Sequence, residues 1–200
     1  MTLSLIDVAA GVQIYGTSPT DVRFLYREIF EWGSYRDVEL PDRPLVIDAG
    51  ANVGVFTLYV KKLRPDAEIL AFEPVAELAA AVRQNLDHRG LDGVTVHNVA
   101  LGAATADSVR FRHYPLRPSG SSIFLEDQTR LKMLSTGWLS PRLSERMYRG
   151  REITVNVAPL SEFLPGGRRV NLLKVDVVGA ELDVFAGIAD AQWPLIDHVI

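Results

Sequence analysis

Three acids and one glycine-spaced turn carry the chemistry that can be read from this 200-residue chain. An apolar run from Leu45 to Ile47 ends in Asp48 and passes through Gly50, Asn52 and Gly54 into an amphipathic stretch. That order reads as a strand, a tight turn and the N-terminus of a helix. Such a junction presents backbone N–H groups at the positive end of a helix dipole and lets a ligand come close to the main chain. Nineteen residues after Gly54, a second apolar run, Ile69 to Phe72, ends in Glu73. A carboxylate at the tip of the neighbouring strand can accept hydrogen bonds from both hydroxyls of a ribose. The two features together point to an adenosine-bearing small molecule. A third run, Val170 to Val175, ends in Asp176 and places another acid at a strand tip.

The loop spacing narrows the ligand further. The dinucleotide fingerprint is G-x-G-x-x-G, and its second glycine admits a pyrophosphate against the backbone. Here Asn52 stands at that position, and Asp48 precedes the turn. Both argue against a dinucleotide and for a ligand without phosphate but with an amino-acid end. Asp48, directly or through water, could hold an ammonium group, while N–H groups at the helix start face a carboxylate. S-adenosylmethionine meets these requirements. Taken alone, D-x-G-x-x-x-G can equally be a tight strand–helix turn; Glu73, in its Phe72-Glu73-Pro74 setting, favours the nucleoside pocket.

The elements that must position these groups follow from periodicity. Residues 3–15 alternate loosely around Gly11 and read as a short hairpin or an extended entry segment. A helix start at Pro19-Thr20-Asp21 leads into Val22, Leu25, Ile29 and Trp32, spaced as one helical face, with a stop near Gly33. Strands are expected at 45–49, 68–72 and 94–99. Helices follow the first two, one ending before Pro65, the other starting at Pro74 and ending near Gly90. Strand–helix–strand rhythm implies right-handed crossovers and a mostly parallel sheet with helices on both faces. Residues 105–160 break the rhythm: an edge strand at 109–113, a loop around Ser119 to Ser122, a helix from Glu126 to Trp138 and a strand at 153–157. This insertion is where substrate contacts are expected. A core strand over 170–176, a helix over 180–186 and a strand opening at 195–200 complete the pattern; the last suggests further C-terminal strands beyond the given chain. Residues 1–42 are read as an N-terminal segment with a lid helix, and 43–200 as the α/β domain.

Composition excludes several classes. The net charge of −4 offers no footprint for nucleic acid or an anionic membrane. Without cysteine there is no disulfide, zinc-thiolate or thiol chemistry. The four histidines, His88, His97, His113 and His198, form no ligand pair at helical spacing. No apolar run approaches the roughly 18 residues of a membrane span, and the start lacks a signal-peptide pattern, so a cytoplasmic protein is expected. Ser121 and Ser122 lack a G-x-S-x-G elbow, which argues against hydrolase chemistry. Arg142, Arg146, Arg149 and Arg151 read as a solvated basic face or a contact for an anionic acceptor. Tyr35 and Trp138 read as lid aromatics or as core.

At this point the residues resemble a family. Asp48-Ala49-Gly50-Ala51-Asn52-Val53-Gly54, Phe72-Glu73-Pro74, Asn98-Val99-Ala100-Leu101-Gly102 and Lys174-Val175-Asp176-Val177-Val178-Gly179-Ala180-Glu181 are similar, in order and spacing, to the motifs of the FkbM methyltransferases. Glu28-Ile29-Phe30 with Tyr35 resembles that family's N-terminal helix. The resemblance implies a class I, Rossmann-like methyltransferase sheet and transfer of a methyl group from S-adenosylmethionine to a hydroxyl of a natural product, sugar or polyketide. It implies that Asp48, Gly50, Asn52 and Gly54 line the methionine end, that Glu73 holds the ribose, and that Asn98, Val99 and Ala100 flank the adenine. Asp176 would lie near the sulfonium and the acceptor as a candidate base, with His113 as a second candidate. Asp176 could instead hold a divalent metal, which the sequence leaves open, as it does the oligomeric state. Val178 departs from the pattern, since the family typically shows an acid there. That motivates an alternative reading, a catalytically degenerate methyltransferase fold kept for binding or interaction. A nicotinamide-binding oxidoreductase is a third.

Overall fold

A computed structural model describes residues 3–123, 149–164 and 166–200. Its centre is a four-stranded parallel sheet, with strands in the spatial order 94–97, 68–72, 45–49 and 172–175. These strands are β3 (Leu45–Ala49), β4 (Glu68–Phe72), β5 (Val94–His97) and β9 (Leu172–Val175). All five residues of β3 are buried, because it pairs with β4 on one side and β9 on the other. A parallel strand covered on both faces needs a continuous apolar run, and Leu45-Val46-Ile47 supplies it.

The pleat divides that run between two cores. Leu45, Ile47 and Ala49 pack with Phe72, Leu173 and Val184. Val46 packs on the other face with Phe56, Val60, Ile69 and Leu172. The second face is covered by α2 (Val55–Leu63) and α3 (Ala76–Asp87), which follow β3 and β4. The first is covered by a 3₁₀ turn at Leu160–Glu162 and by α4 (Glu181–Ala186). The doubly covered parallel sheet read from the sequence is therefore the observed α/β architecture.

The N-terminal part closes on the same core. β1 (Ser4–Ala9) and β2 (Val12–Gly16) form a hairpin around Gly11, and Ile6 and Ile14 are buried beside the sheet residues. Asn85 of α3 fastens it, donating from Nδ2 to the carbonyls of Tyr15 and Val53 and accepting from Tyr15 N–H. Helix α1 (Pro19–Tyr26) is capped by Ser18, whose Oγ accepts from Asp21 N–H, and runs into a π-helical turn over Arg27–Glu31. Such wide turns recur at functional sites. This one brings Glu28 and Ile29 onto the wall of a cleft.

Two expectations shift. The third strand ends at His97 rather than Val99, because the chain changes sheets. β6 (Ala100–Leu101) pairs with β8 (Arg151–Ala158), which pairs antiparallel with β7 (Ala106–His113). The expected strand at 195–200 appears as isolated parallel bridges from Ile196 and Val199 to Val170 and Leu173, alongside β9. The expected helix Glu126–Trp138, with Arg142 and Arg146, lies outside the described residues. No helix among the described residues is long and apolar enough to cross a membrane.

Candidate active site

The carboxyl ends of β3, β4 and β9 open into one cleft. It lies where open parallel sheets bind small ligands. The turn after β3 is drawn tight by its backbone. Gly50 and Ala51 donate N–H groups to the Phe72 carbonyl (3.0 and 2.9 Å). Gly50 has φ +82°, and a Cβ there would sit 2.1 Å from the Asp176 carbonyl oxygen. Only glycine fits that approach, so the loop of β3 and the tip of β9 are packed backbone to backbone. Asn52 also occupies the left-handed region (φ +52°), which asparagine tolerates better than most residues.

Glu73 stands at the tip of β4 with 5% exposure. Its Oε2 accepts from Asn52 N–H (2.8 Å) and its Oε1 from Val75 N–H (2.9 Å). Burial dominates these two hydrogen bonds and raises the carboxyl to about 7. Two carboxylate oxygens offer about four acceptor positions, so Glu73 retains capacity for a ligand's hydroxyls.

Asp48 departs from its expected place. It is wholly buried and absent from the cleft wall. Its side chain points to the α2 face of the sheet, where Thr57 Oγ1 donates to Oδ2 (2.7 Å) and Lys174 Nζ to Oδ1 (3.1 Å). The parallel register sets Lys174 directly beside Asp48. Lys174 also donates to the Gly50 carbonyl (2.8 Å) and lies 4.0 Å from Asp176 Oδ2. Burial pushes the Lys174 ammonium down, but Asp48 and Asp176 more than offset it and hold it above its usual range. Asp48 therefore anchors Lys174 beneath the loop, and Lys174 is the residue of this pair that lines the cleft.

Other expected residues separate in the same way. Gly50, Asn52, Glu73, Val99, Ala100 and Asp176 line the cleft together. Gly54 does not; it precedes α2 at φ +85° and backs onto Val82. Asn98 turns away, donating from Nδ2 to the carbonyls of Glu73 and Pro74 (2.9 Å each), so it fixes the strand tips. His113 is a correction. It is 2% exposed at the end of β7, outside the cleft wall, with Nδ1 3.2 Å from Ser121 Oγ. Burial and then Arg151 lower it to about 4, so it stays neutral and weakly basic. Arg151 itself pairs with Glu77 at 2.5 Å on the surface.

Asp176 remains the accessible acid, with 62% of its side chain exposed. Tyr35 faces the same space, edge-on to Phe56 at 4.9 Å, and Glu28 approaches from the π turn. Burial, then the charge of Asp176, raises the Glu28 carboxyl. Among the described residues no group of three His, Asp or Glu converges to hold a metal. Lys174 is the residue sequence reasoning left without a role. A charge inside Leu172-Leu173-Lys174-Val175 is the signal: a buried strand position must supply its partner, and parallel register supplies Asp48.

Comparison with known proteins gives a family model and several relatives. The model of the methyltransferase FkbM domain matches residues 48–199. Methyltransferase 1 of Beauveria bassiana is 40% identical over 183 residues, covering 90% of this chain and 72% of its own. The 31-O-demethyl-FK506 methyltransferase FkbM of Streptomyces tacrolimicus is 32% identical over 204 residues, covering 95% and 77%. A crystal structure of the methyltransferase FkbM from Methylobacillus flagellatus matches in fold, with a TM-score of 0.50 and 14% identity, over 81% of this chain and 32% of that one.

Proposed function

Because this chain belongs to the FkbM methyltransferase family, we propose that it moves a methyl group from S-adenosylmethionine to a hydroxyl of a small molecule. One observation carries the reading: Glu73 and Asp176 flank the Gly50 turn from opposite neighbouring strands, and both line one cleft. The residues present fit the cofactor. Asn52 Oδ1 is buried without a hydrogen-bond partner among the described residues, and Glu73 has unused acceptor capacity beside it.

Glu73 holds the ribose hydroxyls. Val99 and Ala100 bound the adenine side, and Gly50 and Asn52 the methionine side. Bound S-adenosylmethionine supplies a methyl group already activated on a sulfonium. The protein's share is then alignment of an acceptor oxygen, worth about 7–11 kcal/mol when geometry is held. Asp176 takes the hydroxyl proton, a step that contributes roughly 10²–10⁴-fold. Lys174 Nζ lies 4.0 Å from Asp176 Oδ2, at the base of the same strand tip.

Calorimetry with S-adenosylhomocysteine and NAD tests the cofactor: the first binds and the second does not. A labelled-methyl assay with hydroxylated acceptors then tests catalysis. Binding without transfer to any acceptor would favour the degenerate reading suggested by Val178, and NAD binding would overturn both.

A further inference from the structure

Part of the cleft is left unused by the cofactor reading, between β7 and the tip of β9. We infer that its occupant, the methyl acceptor, presents a largely apolar face to this part of the cleft. This rests on the methyltransferase reading and narrows it.

Contacts locate this chamber. Ser122 Oγ donates to the Val178 carbonyl at 2.6 Å, joining the segment after β7 to the segment after β9. Ser122 also bridges back to Arg112, the neighbour of Phe111. Ser119 donates from N–H and Oγ to Asp21 of α1 (3.2 and 2.6 Å), and Ser18 Oγ donates to the Leu116 carbonyl at 2.8 Å. These bonds bring Leu25, Phe111, Pro118, Ile123, Val177 and Val178 onto one wall.

The polar side chains of that wall are already engaged. The Ser119 hydroxyl is given to Asp21, and the Ser122 hydroxyl to Val178. The Ser121 hydroxyl accepts from Tyr114 N–H at 3.0 Å and meets His113 Nδ1 at 3.2 Å. Among the described residues, what these segments leave toward the ligand is carbon, while Glu28, Tyr35 and Asp176 line the same cleft, Asp176 as the acid that can take a hydroxyl proton.

Val178 makes the same point through its backbone. It holds φ +51°, a region that β-branched residues almost never occupy. Strain of this kind survives where surrounding contacts over-determine it, and it clusters at functional sites. The Ser122 hydrogen bond holds the strained carbonyl, and Val178 lines the cleft. A polyhydroxylated acceptor would leave several hydroxyls unpaired against this wall. Each one costs roughly tenfold in affinity.

The test uses protein saturated with S-adenosylhomocysteine and two probes, cyclooctanol and methyl α-D-glucopyranoside, in saturation-transfer NMR and calorimetry. Cyclooctanol is expected to bind at least tenfold more tightly than the glucoside, and Val178→Glu to weaken cyclooctanol at least fivefold. A glucoside that binds as well as cyclooctanol overturns the inference, as does failure of both probes to bind the saturated protein. Uptake of S-adenosylhomocysteine is read separately, so a failed cofactor site is distinguished from a wrongly described acceptor chamber. Should Val178→Glu not fold, the two probes on the wild-type chain still decide.

Discussion

The two sides of the cleft are built by opposite means. On the β3–β4 side, groups are buried and tied down: Glu73 accepts two backbone N–H bonds, and Asp48 is held by Thr57 and Lys174. On the β9 side, Asp176 is largely exposed and the next residue but one holds a strained backbone. A shared, invariant ligand part can be met by a rigid, pre-satisfied frame, which loses little freedom on binding. Strained segments cluster at functional sites, and binding residues concentrate on loops carried by a rigid scaffold. Lys174 joins the two, with Asp48 on one side and Asp176 on the other.

Breaking the β9 side alone should give the largest effect. Asp176→Asn is expected to lower the rate of labelled-methyl transfer by roughly 10²–10⁴-fold while S-adenosylhomocysteine affinity moves less than threefold. Equal losses in both would place Asp176 in binding and dissolve the contrast. Breaking the link comes next. Lys174→Ala leaves Asp48 a buried carboxylate without its counter-charge, held by Thr57 alone. Urea unfolding should show a loss of about 3–5 kcal/mol. A loss below about 1 kcal/mol would mean that the pair does not anchor the loop. Breaking the β4 tip follows: Glu73→Ala should weaken S-adenosylhomocysteine more than tenfold by calorimetry, since two ribose hydroxyls lose their acceptor.

The smallest effect sharpens the same side through pH. Glu73 is raised to about 7 in the folded chain, above its ordinary value of 4.5. The folded state therefore binds more protons than the unfolded state between these values, and this group's contribution to stability falls as pH rises across that window. Glu73→Gln should accordingly gain on the wild type in melting temperature from pH 5 to pH 7.5. Ribose hydroxyls favour the ionised carboxylate, so wild-type affinity for S-adenosylhomocysteine should rise, by about threefold to tenfold, as pH rises through 7. Glu73→Gln should show no such rise. A flat wild-type profile would contradict the assignment of the ribose to Glu73.

Much of the frame was legible in the sequence because it is local. β3 and β4 lie where their apolar runs begin and end, and their following helices start within two residues of the expected positions. Glu73 and Asp176 were legible as acids ending such runs. What was not legible depends on long-range pairing. Asp48 looks ligand-facing until register sets Lys174, 126 residues away, beside it. His113 looks like an edge-strand histidine until the turn at Pro118–Gly120 folds Ser121 over it. The π turn that aims Glu28 into the cleft has no spacing signature, since its residues read as ordinary helix. The link between Asp21 and Ser119 spans 98 residues, and neither partner announces the other.

The central claim is that the tips of β4 and β9 hold the sugar and the reacting end of one nucleoside cofactor. A crystal structure of the chain with S-adenosylhomocysteine tests it most directly. The predicted result places both ribose hydroxyls within hydrogen-bond reach of the Glu73 carboxylate and the sulfur facing Asp176. A nucleoside bound with its ribose away from Glu73, or outside this cleft, would contradict the account.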